Sequence, residues 1–350
     1  MPAFTLGDVQ QQTYKPRDSW WTVWLVDPLA SRLVKVTANR TSITPNQLTV
    51  AALVLGLGAA ACFFLADWYW LLAGAILFHL SFVLDCMDGK IARLKGNGSV
   101  IGSWLDYVFD RIRVLICAVA LMGGQFAVTE NPIFLWFALG IVFTDMFRYL
   151  NSPQMAKVRT SMRKHMVRAI KEAEESDAPE SGQVRLLAAR FGANTAAPDE
   201  TQDETQDEAQ NEGLDEGLDE PQDGEEPERA APTPGVRARH IQSTALQAGF
   251  HKRFPWYQRF RGVLRANRIR PHLFSGIEFQ MGVFIVAPLV GVFSTTGMLA
   301  TIVASSALMF AFEFLIIYKL WLSTREFNRV KDDINAVLSQ YDLSKENRAA

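Results

Sequence analysis

Four aspartates, Asp85, Asp88, Asp106 and Asp110, share one stretch, DCMDGKIARLKGNGSVIGSWLDYVFD, whose flanks are strongly apolar. Carboxylates placed inside membrane-like segments are costly and mark function. Asp85 and Asp88 are three apart, and Asp106 and Asp110 four apart, so each pair shares a helix face. Oxygen-only donors suit Mg²⁺ or Mn²⁺. Two such ions can neutralise a diphosphate and stabilise both entering and leaving oxygens. One carboxylate can instead take the proton of an attacking hydroxyl. Lys90, Arg93 and Lys95 lie between the pairs, and the forked donors of Arg93 match phosphate oxygens. Gly89 and Gly102 leave room for a flat base or a pyrophosphate, while Gly96 and Gly98 bend the connection. Four acids against so few nearby bases favour a metal site for phosphate chemistry over a structural Asp–Arg network.

Two helices must present these acids, and the flanking chain supplies them. Thr44-Pro45-Asn46 has the cap and first-turn proline of a helix start. Apolar runs follow at Leu48 to Ala66, Trp68 to Val83, Ser99 to Met122 and Pro132 to Leu150, then at Ile277 to Phe293 and Leu299 to Leu320. Each is long enough to read as a membrane crossing. The expected fold class is an all-α integral membrane protein of six transmembrane helices. An interfacial amphipathic helix over 20–38 precedes them, with Trp20, Trp21 and Trp24 at headgroup level and Arg32 and Lys35 toward phosphate. Loops near 67, 124–131 and 295–297 lack Lys and Arg, whereas those near 93, 151–275 and beyond 323 are rich in them. The positive-inside rule then puts the acids and both termini on the cytoplasmic side of a multi-pass cell-membrane protein.

Charge divides the rest of the chain. The net charge of −2 comes from 37 acids and 35 bases. Fifteen of those acids lie in 198–228, which holds no Lys or Arg, leaving 22 acids against 35 bases elsewhere. The expected layout is a mobile N-terminus over 1–19, then 20–150 with the interfacial helix, four spans and the acids. A cytoplasmic charged insertion over 151–275 follows, disordered over 176–235. Spans five and six fill 276–322, and a cytoplasmic tail fills 323–350. The first part of the insertion, 153–175, reads as a basic extension of helix four. Residues 237–270 carry nine Lys or Arg and no acid, with Trp256, Tyr257 and Phe260 among them. Beside a membrane span this composition fits a lipid surface rather than nucleic acid. Cys62, Cys86 and Cys117 fall in apolar runs and form no ligand pattern.

The acid stretch resembles the signature of the CDP-alcohol phosphotransferase (CDP-alcohol phosphatidyltransferase) family, D-x2-D-G-x2-A-R-x8-G-x3-D-x3-D. It is complete here as Asp85, Asp88, Gly89, Ala92, Arg93, Gly102, Asp106 and Asp110. The resemblance covers about 20–150 and 276–322 but not the insertion at about 176–270. It implies a membrane enzyme of phospholipid biosynthesis that moves a phosphatidyl or other substituted phosphate group from a CDP-alcohol, with CDP-diacylglycerol the usual donor, to an alcohol or sugar-phosphate acceptor, releasing CMP. It further implies two Mg²⁺ or Mn²⁺ ions held by Asp85, Asp88, Asp106 and Asp110, with Asp110 also the general base. Gly89, Ala92, Arg93 and Gly102 would line the cytidine diphosphate pocket, with Asn46 close to it. A homodimer in membrane lipid is the expected assembly.

Arg111, Arg113 and Arg148 are candidates for an acceptor phosphate, and Glu278 and Gln280 for acceptor hydroxyls. His79, His165, His240, His251 and His272 share no ligand spacing. A transporter with buried charge and a catalytically inactive scaffold of the same family are the competing functions. Metal-dependent CMP release separates both from the transferase.

Overall fold

The computed structural model describes residues 4–175, 263–264, 266–270 and 274–349. Among them the architecture is all-α, with one isolated β-bridge between Asp18 and Ile269. The expected 176–235 segment and most of the basic stretch 237–270 lie outside the described residues.

Helix α1, Leu6–Thr13, falls within the stretch expected to be mobile. A reciprocal cap between Thr5 and Asp8 starts it, Val9 is fully buried, and Asn39 bonds both the N–H and the carbonyl of Phe4. These local caps were legible only as a Thr-x-x-Asp pattern. A π-helical turn at Thr22–Val26 leads into α2, Asp27–Arg40. Asp27, Ala30, Ser31 and Val34 face inward, while Arg32, Leu33, Lys35 and Val36 face outward.

Helix α3, Pro45–Leu65, opens with Thr44 and Gln47 capping each other's backbone N–H, so the orphan donors of the first turn are satisfied. Ala66 in the left-handed conformation reverses the chain into α4, Trp68–Lys95. Helix α5 runs Val100–Thr129 and α6 runs Ile133–Glu175. The aliphatic faces of α3, α4 and α5 come unusually close. A Cβ on Gly124 of α5 would stand 2.5 Å from the Phe64 carbonyl oxygen and 2.7 Å from that of Phe63. Phe63, Phe78, Leu121, Met122 and Phe284 fill the adjoining core, with the Phe78 and Phe284 ring centres 4.7 Å apart.

Helix α6 carries Pro153 without breaking and reaches Glu175, as the basic extension suggested. Its partner is α9, Thr295–Ala349, which also continues well past the apolar run that starts it. Met155, Met162 and Met166 of α6 are buried, as are Phe327, Val330 and Ile334 of α9. These are helical spacings of three, four and seven. His165 and Phe327 meet where the two extensions pack.

Among the described residues, five helices, α3, α4, α5, α6 and α9, are long and apolar enough to cross a membrane. The outer surfaces of these helices expose Val54, Phe64, Ile76, Trp104, Trp136, Phe143 and Phe314, as a multi-pass membrane protein requires. The segment expected as span five is shorter and interrupted. It forms α7, Gly276–Met281, a π turn at Gly282–Val286, and α8, Ala287–Gly291. Pro288 has no N–H to bond the carbonyl four residues back, and the turn before it widens, with Ala287 bonding Gly282.

Candidate active site

The acids are brought together by a helical hairpin. Helix α4 ends at Gly96, whose φ of 62° belongs to the left-handed region that glycine adopts without a Cβ penalty. The Ser99 hydroxyl accepts the Gly102 N–H and starts α5. Asp85 and Asp88 therefore leave the last turns of α4, and Asp106 and Asp110 the first turns of α5. Asp106 lies within electrostatic reach of Asp85, Asp88 and Asp110, so the sequence pairs form one cluster.

Each acid has a distinct environment. Asp88 is buried and its Oδ2 accepts the Thr49 hydroxyl of α3 at 2.5 Å. Asp85 Oδ1 pairs with Arg113 at 3.2 Å. Asp110 is gripped twice, Oδ1 by Arg113 and Oδ2 by Arg111. Asp106 Oδ1 is buried with no hydrogen-bond partner. A buried carboxylate oxygen left unpaired is expensive.

The arginines proposed for an acceptor phosphate are instead engaged with carboxylates. Arg113 is only 2% exposed and donates to Ser81 as well as to Asp85 and Asp110. Its stem passes Gly56 of α3, where an added Cβ would stand 2.7 Å from both Cγ and Cδ. Arg111 spans from Asp110 to Asp145 of α6, and its guanidinium carbon lies 3.2 Å from the Tyr149 ring centre. Arg148 pairs with Glu313 of α9, which is fully buried and also accepts from Asn151 at 2.6 Å. Some of the Asp–Arg network that the sequence argued against is thus present, threaded through the acid cluster rather than replacing it.

Nearby polar residues take other roles. Glu278 turns back on Ser275 as a helix cap, and Gln280 donates to Asp145 at 3.1 Å. Lys90 points away from the acids to Asp27 of α2, 2.9 Å distant, and Arg268 reaches the other Asp27 oxygen at 3.2 Å. On the hairpin's turn side, Asn46 stands against Gly102, where a Cβ would meet its Oδ1 at 2.7 Å. Arg93 is exposed and Gly89 and Ala92 are half-buried along the same helix end. Asn46 and Gly102 are thus in contact, and Gly89, Ala92 and Arg93 share the C-terminal end of α4. Thr49, Asp145 and Asp27 were not singled out from sequence. Asp145 carried a readable signal, a lone carboxylate within the apolar run of its helix.

The donor set suits a divalent cation. Asp85, Asp88, Asp106 and Asp110 bring four negative charges; among the described residues Arg111 and Arg113 pair with them, and Asp145 draws on Arg111. Lys90 is committed to Asp27. The surplus negative charge and the orphaned Asp106 oxygen fit a hard cation with oxygen ligands. Among the described residues, no three His, Cys, Asp or Glu side chains already stand in a ligating group, and Asp85 and Asp110 are paired with Arg113 and Arg111.

Comparison with known proteins bears on the same segment. Residues 42–175 match the family model described as CDP-alcohol phosphatidyltransferase. The chain is 40% identical over 68 residues to the bifunctional IPC transferase and DIPP synthase of Aquifex aeolicus, 19% of this chain and 15% of that protein. It is 35% identical over 88 residues to the phosphatidylinositol phosphate synthase of Corynebacterium glutamicum, 25% of this chain and 37% of the relative. Identity reaches 38% over 108 residues with the CDP-diacylglycerol–glycerol-3-phosphate 3-phosphatidyltransferase of Cereibacter sphaeroides, 29% and 46% of the two chains. The matched part spans less than half the length of each of these relatives.

Proposed function

We propose, from the match of residues 42–175 to the CDP-alcohol phosphatidyltransferase family model, that the chain belongs to that family, transfers a phosphatidyl group from CDP-diacylglycerol to a hydroxyl acceptor and releases CMP. The observation that carries the reading is the acid cluster itself, complete in spacing and left with an unpaired buried oxygen on Asp106. A donor of the CDP-diacylglycerol type agrees with the name of the Cereibacter sphaeroides relative. That relative is named for glycerol 3-phosphate and the Corynebacterium glutamicum one for phosphatidylinositol phosphate. Both favour a phosphorylated polyol as acceptor.

In this reading Asp85, Asp88, Asp106 and Asp110 hold one or two Mg²⁺ or Mn²⁺ ions. Bound there, the ions supply charge neutralisation for the diphosphate. Asn46, Gly89, Ala92, Arg93 and Gly102 receive the cytidine diphosphate, with Gly102 and Asn46 in close approach. Asp110 takes the acceptor's proton. The acceptor oxygen forms its bond to the phosphorus that carries the lipid, the bond from that phosphorus to the CMP oxygen breaks, and CMP leaves. Arg111 and Arg113 fix the two Asp110 oxygens, each of which keeps a further lone pair.

The membrane arrangement belongs to the same proposal. Counting Gly276–Gly291 as a crossing gives six spans, with the acids and both termini cytoplasmic. The stretch 20–38 then lies at the interface, its outward Arg32 and Lys35 toward lipid phosphate. The insertion between spans four and five is a cytoplasmic spacer, and the enzyme works as a homodimer without nucleic acid.

The test is direct. Purified protein receives CDP-diacylglycerol, Mg²⁺ or Mn²⁺, and separately myo-inositol 1-phosphate, glycerol 3-phosphate, serine or inositol. Metal-dependent CMP release with one acceptor is expected, and the lipid product identifies it. Asp110→Asn should abolish turnover while retaining nucleotide binding. No CMP with any acceptor, from folded protein, rejects the transferase in favour of transport or scaffolding.

A further inference from the structure

The Asp110 carboxylate is held from a distance by groups outside the signature. Arg111 uses one guanidinium nitrogen, Nη2, on Asp110 Oδ2 and the other, Nη1, on Asp145 Oδ2. Asp145 is 2% exposed, and its second oxygen accepts the Gln280 side-chain N–H at 3.1 Å. Gln280 is also buried, in the short helix α7 far along the chain. The Tyr149 ring lies against one face of the guanidinium. A chain of contacts therefore runs from α7 through α6 to the acid proposed as base on α5.

We infer that Asp145 and Gln280 are positioning residues for Asp110, acting through Arg111. The inference rests on Asp110 being the base of the proposed transfer. Its physical basis is the division of one fork between two carboxylates. Arginine prefers to engage a single carboxylate with two parallel N–H bonds. Asp145 holds Nη1 away and leaves Arg111 only Nη2 for Asp110. Without that hold, both nitrogens turn onto Asp110 and cover the lone pairs that must accept the acceptor's proton. Gln280 fixes the Asp145 carboxylate so that its other oxygen stays aimed at Nη1. Asp145 lies on α6 and engages Arg111 and Gln280, whereas the residues proposed for the nucleotide lie at the start of α3, the end of α4 and the start of α5. The loss should therefore appear in kcat and leave donor binding alone.

The experiment compares wild type, Asp145→Asn and Asp145→Glu in detergent, following CMP release at saturating Mg²⁺ with the acceptor found for wild type. Asp145→Asn should lower kcat by about ten-fold or more while KM for CDP-diacylglycerol stays within about two-fold. Asp145→Glu, which keeps a charged partner for Nη1, should recover part of the lost kcat. A folded Asp145→Asn with unchanged kcat, or one whose loss lies in donor KM, overturns the inference, as does an Asp145→Glu no better than Asn. If Asp145→Asn does not insert as folded protein, Gln280→Leu is read by the same split, with a smaller fall in kcat expected and no fall counting against the inference. Absence of CMP release from wild type with every acceptor rejects the underlying reading instead, so the two failures are told apart.

Discussion

Replacing Gly56 by alanine tests whether the buried arginine is the device that keeps Asp85 and Asp110 in place. The new methyl would stand 2.7 Å from Arg113 Cγ and Cδ and 3.3 Å from the Ser81 hydroxyl oxygen. Carbon atoms in contact settle about 3.5–4.0 Å apart, so the stem must retreat by about 1 Å. It has little room to do so. Arg113 is fully enclosed, and its two terminal nitrogens are tied to Ser81, Asp85 and Asp110. If the ion pairs survive, the overpacking should cost about 1–3 kcal/mol. If they are given up, about 3–5 kcal/mol is expected, because two acids lose a buried partner. Either way the carboxylates shift, and a misplacement of about 1 Å can lower a rate by about 100-fold. The assay is metal-dependent CMP release per folded molecule, alongside thermal unfolding in detergent. Gly124→Ala supplies the contrast, since the atoms nearest its methyl belong to the Phe63 and Phe64 backbone. It should destabilise the protein while the folded fraction keeps its turnover. A Gly56→Ala enzyme with wild-type stability and turnover within about two-fold of wild type would falsify the role given to Arg113.

Three further outcomes follow from the same geometry. Thr49→Val removes the hydroxyl that donates to Asp88, a charged hydrogen bond of about 1.5–3 kcal/mol; a Mg²⁺ titration of CMP release should need more metal, and an unshifted titration argues against the contact. Mg²⁺ or Mn²⁺ should raise the unfolding temperature of wild type, and chelation should lower it. Asp106→Asn should blunt that response, so equal metal stabilisation in both proteins counts against Asp106 as a ligand. Deleting 176–235, a segment too polar to build a core, should leave CMP release intact in correctly inserted protein, and complete loss there contradicts the spacer reading.

The site was legible to the extent that spacing carries it. Intervals of three and four on two helices, joined by glycine, are local rules, and the hairpin from Asp85 to Asp110 follows them. The caps at Thr44 and Ser99 were readable for the same reason. What escaped the sequence depends on partners distant along the chain. Arg113 reads as a phosphate binder until α3 is seen to open at Gly56 and α4 to present Asp85. Asp145 finds Gln280 only when α7 packs beside α6, a separation of 135 residues. The six-span expectation met a similar limit. Composition marked Ile277 to Phe293 as apolar, but hydropathy registers neither the π turn ahead of Pro288 nor that the stretch falls short of the other five spans in length.

The clasp on Asp27 has a consequence for the order in which the protein is made. Asp27 and Lys90 leave the ribosome early, and their pair can close as soon as α2 meets α4. Arg268, which takes the other Asp27 oxygen and lies over Tyr14 at 4.1 Å, is synthesised 241 residues after Asp27. The Asp18–Ile269 bridge beside it closes a comparable interval. Contacts across such separations form late because the intervening chain must first be confined. Asp27 thus spends much of synthesis with one cation rather than two. The emerging chain completes the support behind Lys90, and with it the final setting of the α4 end that carries Asp85 and Asp88, only after the long charged insertion has been translated.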